Sequence, residues 1–259
     1  MKSTWLFMAL IVPAAAALAA EAHWDGTWKL DKSRSHFSGD TFTLSKGPNG
    51  MLHFSDGGPI NYDFRIDGKD YAAHYNRTVA WTAAGPDTWD TVTHVDGRVL
   101  ATSHRTLSAD GKTLTIAWQT TRPDGSVDTE TDVYTRVTGT AGLEGRWRSI
   151  KVDESAPMTF IIATHPDGTM RWDLPEMQAY VEGKPDGTDL AVHGPTMPPG
   201  MTFAFKKMSP RKIAYSTRVN GKPDSAGEQT LAADGKSYTD VSWTAGKEDE
   251  RQTAVYVRQ

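Results

Sequence analysis

Apolar and polar residues alternate with a period of two in short runs along most of the chain. Phe42 to Leu44, Asn61 to Ile66, Thr113 to Trp118 and Met201 to Phe205 each put every second side chain on one face, the pattern of a strand with one side buried. Turn pairs that accept positive φ punctuate these runs. Asp56-Gly57, Asp67-Gly68, Asp96-Gly97, Asp110-Gly111 and Asp124-Gly125 lie in the first half, with Asp167-Gly168, Asp186-Gly187, Asn220-Gly221 and Asp234-Gly235 in the second. No segment after Trp24 sustains a helical period. The expected architecture is an all-β antiparallel meander. With roughly eight to ten strands per half, open edges are avoided when each sheet closes into an up-and-down barrel.

The chain also repeats itself. Thr93 to Arg98 aligns with Thr217 to Lys222, and Thr106 to Lys112 with Thr230 to Lys236, both at an offset of 124; Gly26-Thr27-Trp28 meets Gly145-Arg146-Trp147 at 119. Solenoid and propeller repeats run nearer 20 to 50 residues, so this long period marks a duplicated domain. The expected division is a first barrel over 23–138, a small, turn-prone linker over 139–142 and a second barrel over 143–259.

Residues 1–22 read as a secretory signal peptide: Met1-Lys2, an apolar stretch from Trp5 to Leu18, then small-x-small cleavage sites at Ala17-Leu18-Ala19 and Ala20-Glu21-Ala22. Nothing after Trp24 approaches a membrane span. The expected location is therefore periplasmic or secreted. His23 at a new N-terminus would be a frayed tail residue rather than a copper ligand, since no partner ligand can be assigned.

Composition narrows the function. In 259 residues, 28 Lys+Arg face 32 Asp+Glu for a net charge of −4, which gives no electrostatic footprint for nucleic acid or an anionic membrane. Cysteine is absent, so disulfides, thiolate metal sites and a lipid-modified N-terminal cysteine are excluded. The chain also lacks Gly-x-Ser-x-Gly, His-Glu-x-x-His, phosphate-loop and dinucleotide-loop motifs. No catalytic residue, cofactor or metal is assigned, and an enzyme is the less favoured class.

Parity along strands selects candidate lumenal residues. A two-residue turn at Asp124-Gly125 pairs Trp118 with Thr131 and Ile116 with Val133, and sends Asp128, Glu130 and Asp132 to solvent. Three alternating acids suit a calcium ion, but a solvated face is the commoner arrangement. A tight Asp96-Gly97 turn pairs His104 with Trp89, which makes His104 a candidate donor inside the barrel. The repeated Asp-x-Ala-x-His, Asp70 to His74 and Asp189 to His193, reads as polar strand residues, because i and i+4 on a strand are some 13 Å apart. Aromatics carry the remaining signal. Phe54, Tyr62, Phe64, Trp81, Trp89 and Trp118 in the first unit form one candidate ligand box. Trp172, Phe203, Phe205, Tyr215 and Trp243 in the second form the other, with Trp243 matched to Trp118. Met197-Pro198-Pro199-Gly200 would border a mouth.

A Gly-x-Trp at the head of a small antiparallel barrel, with a base near the end of its last strand, resembles the calycin superfamily of lipocalins and fatty-acid-binding proteins. Here it occurs twice: Gly26, Trp28 and Arg136, then Gly145, Trp147 and Arg258. The wording of the first unit is also similar to secreted bacterial lipocalin-like domains. The resemblance implies barrels closed at one end by the base stacked on the indole. Tyr134 and Arg136 stand in reverse order to the fatty-acid-binding pattern, so that family's carboxylate site is not carried over. The expected function is carriage of a small hydrophobic molecule. The alternatives are a protein-interaction or inhibitor module with filled barrels, or an isomerase or cyclase built on a lumenal acid, His or Tyr.

Overall fold

The protein is described by a computed structural model covering residues 23–154 and 158–259; residues 1–22, where a signal peptide is expected, lie outside the described residues. Among the described residues, twenty strands form two ten-stranded antiparallel sheets, each nearly closed into a barrel. The first sheet runs β4 (Asn61–Phe64), β3 (Leu52–Ser55), β2 (Thr41–Lys46), β11 (Gly145–Glu154), β10 (Val127–Thr138), β9 (Thr113–Thr121), β8 (Arg98–Leu107), β7 (Thr88–Val95), β6 (Arg77–Gly85) and β5 (Asp70–Ala72). The second runs β14 (Ala179–Gly183), β13 (Met170–Leu174), β12 (Thr159–Thr164), β1 (Gly26–Leu30), β20 (Gln252–Arg258), β19 (Ser237–Thr244), β18 (Lys222–Leu231), β17 (Lys212–Val219), β16 (Met201–Ser209) and β15 (Leu190–Ala191). Bridges Ile66↔Trp81 and Tyr180↔His193 draw the two edges of each sheet together.

The halves trade their first strands. β1 pairs with β12 and β20 of the second unit, and β11 pairs with β10 and β2 of the first. This corrects the expected boundaries at 138 and 143, because the first sheet runs on through β11 and the second recruits β1. The cause is the short linker. Arg136 donates from Nη1 and Nη2 to the carbonyls of Glu144 and Gly142, each at 2.6 Å, and so folds the chain back as a hairpin that lays β11 beside β10. The place between β12 and β20 is then left for β1.

The closure device is present with its partners exchanged. Arg136 stacks over Trp147 at 4.1 Å and Arg258 over Trp28 at 4.2 Å, so Trp28 does not meet Arg136, as a barrel made from one unit requires. Both indoles are fully buried and donate to the carbonyls of Leu143 and Trp24, at 3.0 and 2.8 Å. The glycine of Gly-x-Trp makes room for the guanidinium: a Cβ on Gly26 would lie 2.6 Å from Arg258 Nη1, and one on Gly145 2.9 Å from Arg136 Nη1. Where the barrels meet, Lys247 Nζ donates to the Thr41 carbonyl at 2.9 Å and pairs with Glu250 at 2.6 Å. Glu250 also accepts from Thr41 Oγ1 at 2.7 Å.

Candidate functional site

Two one-residue shifts decide which side chains enter the first barrel. At the β7–β8 hairpin, Asp96 and Gly97 take φ of 50° and 74°, the tight turn expected. A bulge at Leu100 then moves the register, so that Trp89 faces Arg105 and Asp90 faces His104. A one-residue slip turns every later side chain to the opposite face. His104 is therefore outside, half-exposed and bonded to Asp90 at 2.6 Å, which corrects its lumenal placement. Arg105 takes the inner position and is only 4% exposed.

The second shift is at β9–β10. Pro123 lacks the N–H that a two-residue turn at Asp124-Gly125 needs for pairing back with Ser126. The loop instead spans three residues between Arg122 and Ser126, with Gly125 at φ 85°. Ile116 thus faces Asp132 and Trp118 faces Glu130. The acids expected in solvent turn inward: Asp132 is 4% exposed and accepts from Trp118 Nε1 at 3.1 Å and the Tyr134 hydroxyl at 3.4 Å. Burial raises the pKa of Asp132, and burial with the nearby Asp132 charge raises that of Tyr134. Asp128 pairs with Arg122 at 2.5 Å. Tyr134 and Arg136 do share a face, and it is the inner one.

These side chains enclose a cavity of about 630 Å³ in the first barrel. Phe42, Phe54, Tyr62, Ile116, Trp118 and Tyr134 supply much of its wall, and Arg105 is its buried cation. Phe42, Phe54, Tyr62, Phe64 and Trp81 form a continuous run of ring contacts 4.5 to 5.6 Å apart. Phe54, Tyr62 and Trp118 thus border the space. Phe64, Trp81 and Trp89 are buried in the core of this barrel. Phe42, Arg105, Asp132 and Tyr134 escaped the sequence reading, the last three because their faces depend on the two shifts. The mouth is completed by the other barrel, through Met177, Thr196 to Pro198, Met201 and Asp224. The Met197-Pro198 loop therefore borders a mouth, but that of the first barrel. Tyr75, on the first barrel's rim, donates its hydroxyl to Asp224 across the gap.

Arg105 has no hydrogen bond or ion pair among the described residues, and its Nε is fully buried without a partner. Its guanidinium lies over the rings of Trp81 and Trp118, at 4.5 and 5.1 Å from their centres. Burial lowers its pKa, with Tyr62, Tyr134 and Asp132 acting the other way, but a guanidinium stays charged in proteins. Stacking contributes about 0.5 to 2 kcal/mol and leaves the edge donors unused.

The second barrel carries different chemistry in the same frame. Trp172, Phe203, Phe205 and Tyr215 pack in its core as a linked set of rings, with centroids 5.3 to 6.4 Å apart. Trp243 is outside, stacked under Arg251 at 4.4 Å; the register Gly227↔Ser242 puts Ser242 where the first barrel has Trp118. The match of Trp243 to Trp118 thus fails, since the offset of 124 holds without insertion. Tyr215 fills the interior over Gly227, where a Cβ would lie 2.5 Å from its ring. The Asp-x-Ala-x-His pairs are separated as expected: Asp70 bonds His94, while His193 stacks on Tyr180.

No protein-family model, curated protein or solved structure matches the chain. The two nearly closed antiparallel barrels in tandem are consistent with a lipocalin-like fold, and that fold is compatible with a binding or carrier role. Among the described residues no helix is long and apolar enough to cross a membrane.

Proposed function

We propose that this is a calycin-type binding protein, acting in the periplasm or outside the cell, that carries one small hydrophobic molecule in the lumen of its first barrel. The observation that carries the reading is the cavity of about 630 Å³ walled by Phe42, Phe54, Tyr62 and Trp118, a size and lining typical of small-molecule sites. The ring-packed interior of the second barrel favours a different part for that unit, a surface-acting module that completes the mouth of the first. Purified protein extracted with organic solvent should release a small apolar compound detectable by mass spectrometry. Tryptophan emission should be quenched by a lipid or quinone panel, and Trp118→Phe should weaken that quenching. Empty extracts together with no quenching by any member of the panel would overturn the carrier reading.

A further inference from the structure

The duplicated hairpins β6–β7 and β16–β17 share a geometry and differ in charge. In the second barrel the pairing bulges between Lys207 and Ser209 and sets Ser209 opposite Lys212; in the first it bulges between Ala83 and Gly85 and sets Gly85 opposite Thr88. At the offset of 124 the two stretches correspond residue for residue. Thr82, Ala83, Ala84, Asp87 and Thr88 stand where the second barrel has Lys206, Lys207, Met208, Arg211 and Lys212. One acid in the first hairpin thus faces four bases and a methionine in the second. Trp24 fixes the basic tip at the closed end of its barrel, donating from Nε1 to the Pro210 carbonyl at 3.1 Å while its own carbonyl accepts from Trp28. The net charge of −4 for the whole chain conceals this local cation patch.

We propose that this hairpin docks the protein on an anionic phospholipid surface, with Met208 entering the headgroup layer and the bases set against the phosphates. Met208 is 58% exposed. Lys206 and Lys207 beside it are exposed and make no ion pair among the described residues. Arg211 donates to a neutral acceptor, the Ala233 carbonyl, at 3.2 Å. Of the acids nearby, Glu228 pairs with Lys212 at 2.9 Å, whereas Asp186 and Asp234 accept from the backbone N–H groups of Thr188 and Lys236 in their own turns. An exposed apolar side chain flanked by cations suits a bilayer, where burial and attraction to anionic lipid add together; a purely electrostatic partner would leave Met208 in water. The inference concerns a surface that the carrier reading leaves unused, and it stands without that reading. β16 runs from Met201 at the mouth of the first lumen to Ser209 at the tip, about 25 Å of strand. A chain docked by this tip keeps the mouth clear of the surface.

The test is co-sedimentation with vesicles of phosphatidylglycerol and phosphatidylcholine in equal parts, against vesicles of phosphatidylcholine alone, at low ionic strength. It uses the chain freed of residues 1–22, whose apolar stretch would itself enter a bilayer; both barrels are retained. The protein should bind the anionic vesicles only and be released by high salt. Lys206→Thr should weaken binding about fivefold, the contribution of one base near an anionic surface. Giving the hairpin the first barrel's charges, with Lys206→Thr, Lys207→Ala, Arg211→Asp and Lys212→Thr together, should weaken it at least about a hundredfold with an unchanged near-ultraviolet circular dichroism spectrum. The chain has no cysteine, so Met208→Cys and Ala84→Cys each accept a single environment-sensitive fluorophore. The label at 208 should shift to the blue on anionic vesicles and the label at 84 should not, a comparison that decides the matter even where the combined variant does not fold. Equal binding to both kinds of vesicle, binding that survives the combined substitution, or equal shifts at 84 and 208 would overturn the proposal. Absence of vesicle binding would overturn it too, and retention on soluble polyglutamate in that case would assign the patch to an acidic peptide. None of these readouts involves the lumen, so the carrier reading is tested separately.

Discussion

The first barrel leaves a cation without an acceptor beside an open lumen; the second satisfies the same position internally, where Asp240 accepts from Gln229 Nε2 at 2.8 Å and from the Tyr215 hydroxyl at 2.9 Å, and fills the space with that tyrosine. One duplicated frame has thus taken two fates through a few substitutions, Arg105 against Gln229, Ile116 against Asp240, Ser103 against Gly227 and Thr91 against Tyr215. The lesson is that a barrel of this size is filled by side chains or open to one small ligand depending on a single layer of its wall. The traded strands add a second contrast. Each barrel is closed at its base by an indole from the other repeat, so neither repeat completes a barrel from its own sequence.

The largest effects should come from breaking the closures. Trp147→Ala should cost about 3 to 5 kcal/mol and abolish probe binding in the first lumen, although Trp147 belongs to the second repeat. Trp28→Ala should cost a similar amount but loosen the second barrel; amide exchange will show which strands open. A crossed pattern, with Trp28→Ala opening β2 to β10, would contradict the exchange.

Next comes the layer that separates filled from open. Gly227→Ala pushes a methyl into the Tyr215 ring and should destabilise by about 1 to 3 kcal/mol. Ser103→Ala at the equivalent place loses one hydrogen bond to Thr91 and should cost about 1 kcal/mol. Denaturant titration distinguishes the two; equal costs would mean that Gly227 has no special role in seating Tyr215.

A smaller effect depends on pH. The folded-state pKa of Asp132 is raised by burial, so the unfolded chain gives up this proton first as pH rises. The contribution of Asp132 is fully present below the ordinary carboxylate range, about pH 4, and is lost as pH climbs through the raised value. Asp132→Asn should match the wild type in acid and become the more stable of the two towards neutral pH. The reverse trend in melting temperature would show that its hydrogen bonds from Trp118 and Tyr134 outweigh burial. Smallest of all, His104→Ala removes an exposed pair with Asp90 and should change stability by less than about 0.5 kcal/mol without touching probe binding.

Much of this was legible in the chain. Alternation and Asp-Gly turns mark the strands, the offset of 124 marks the duplication, and Gly-x-Trp with a terminal arginine marks the closure. What escaped has definite physical causes. A bulge at Leu100 and a three-residue loop set by Pro123 each shift pairing by one residue, and one residue is enough to turn Arg105 and Asp132 inward and His104 outward. Trp243 went outward for the related reason that its neighbour Ser242, in the unshifted repeat register, holds the inner place. The strand exchange was hidden because β1 and β11 carry the same Gly-x-Trp pattern and fit either barrel; only the folding back of the linker under Arg136 decides between them.

The central claim is that this two-barrel chain has one ligand compartment, in the first barrel. Stoichiometric titration of the purified protein with dansyl-undecanoic acid measures it directly, with energy transfer from tryptophan as the signal. The account predicts one molecule per chain, displaced from the site by Ala101→Trp in the cavity wall and unaffected by Trp243→Phe. Two molecules per chain, or binding that persists unchanged in Ala101→Trp, would contradict it.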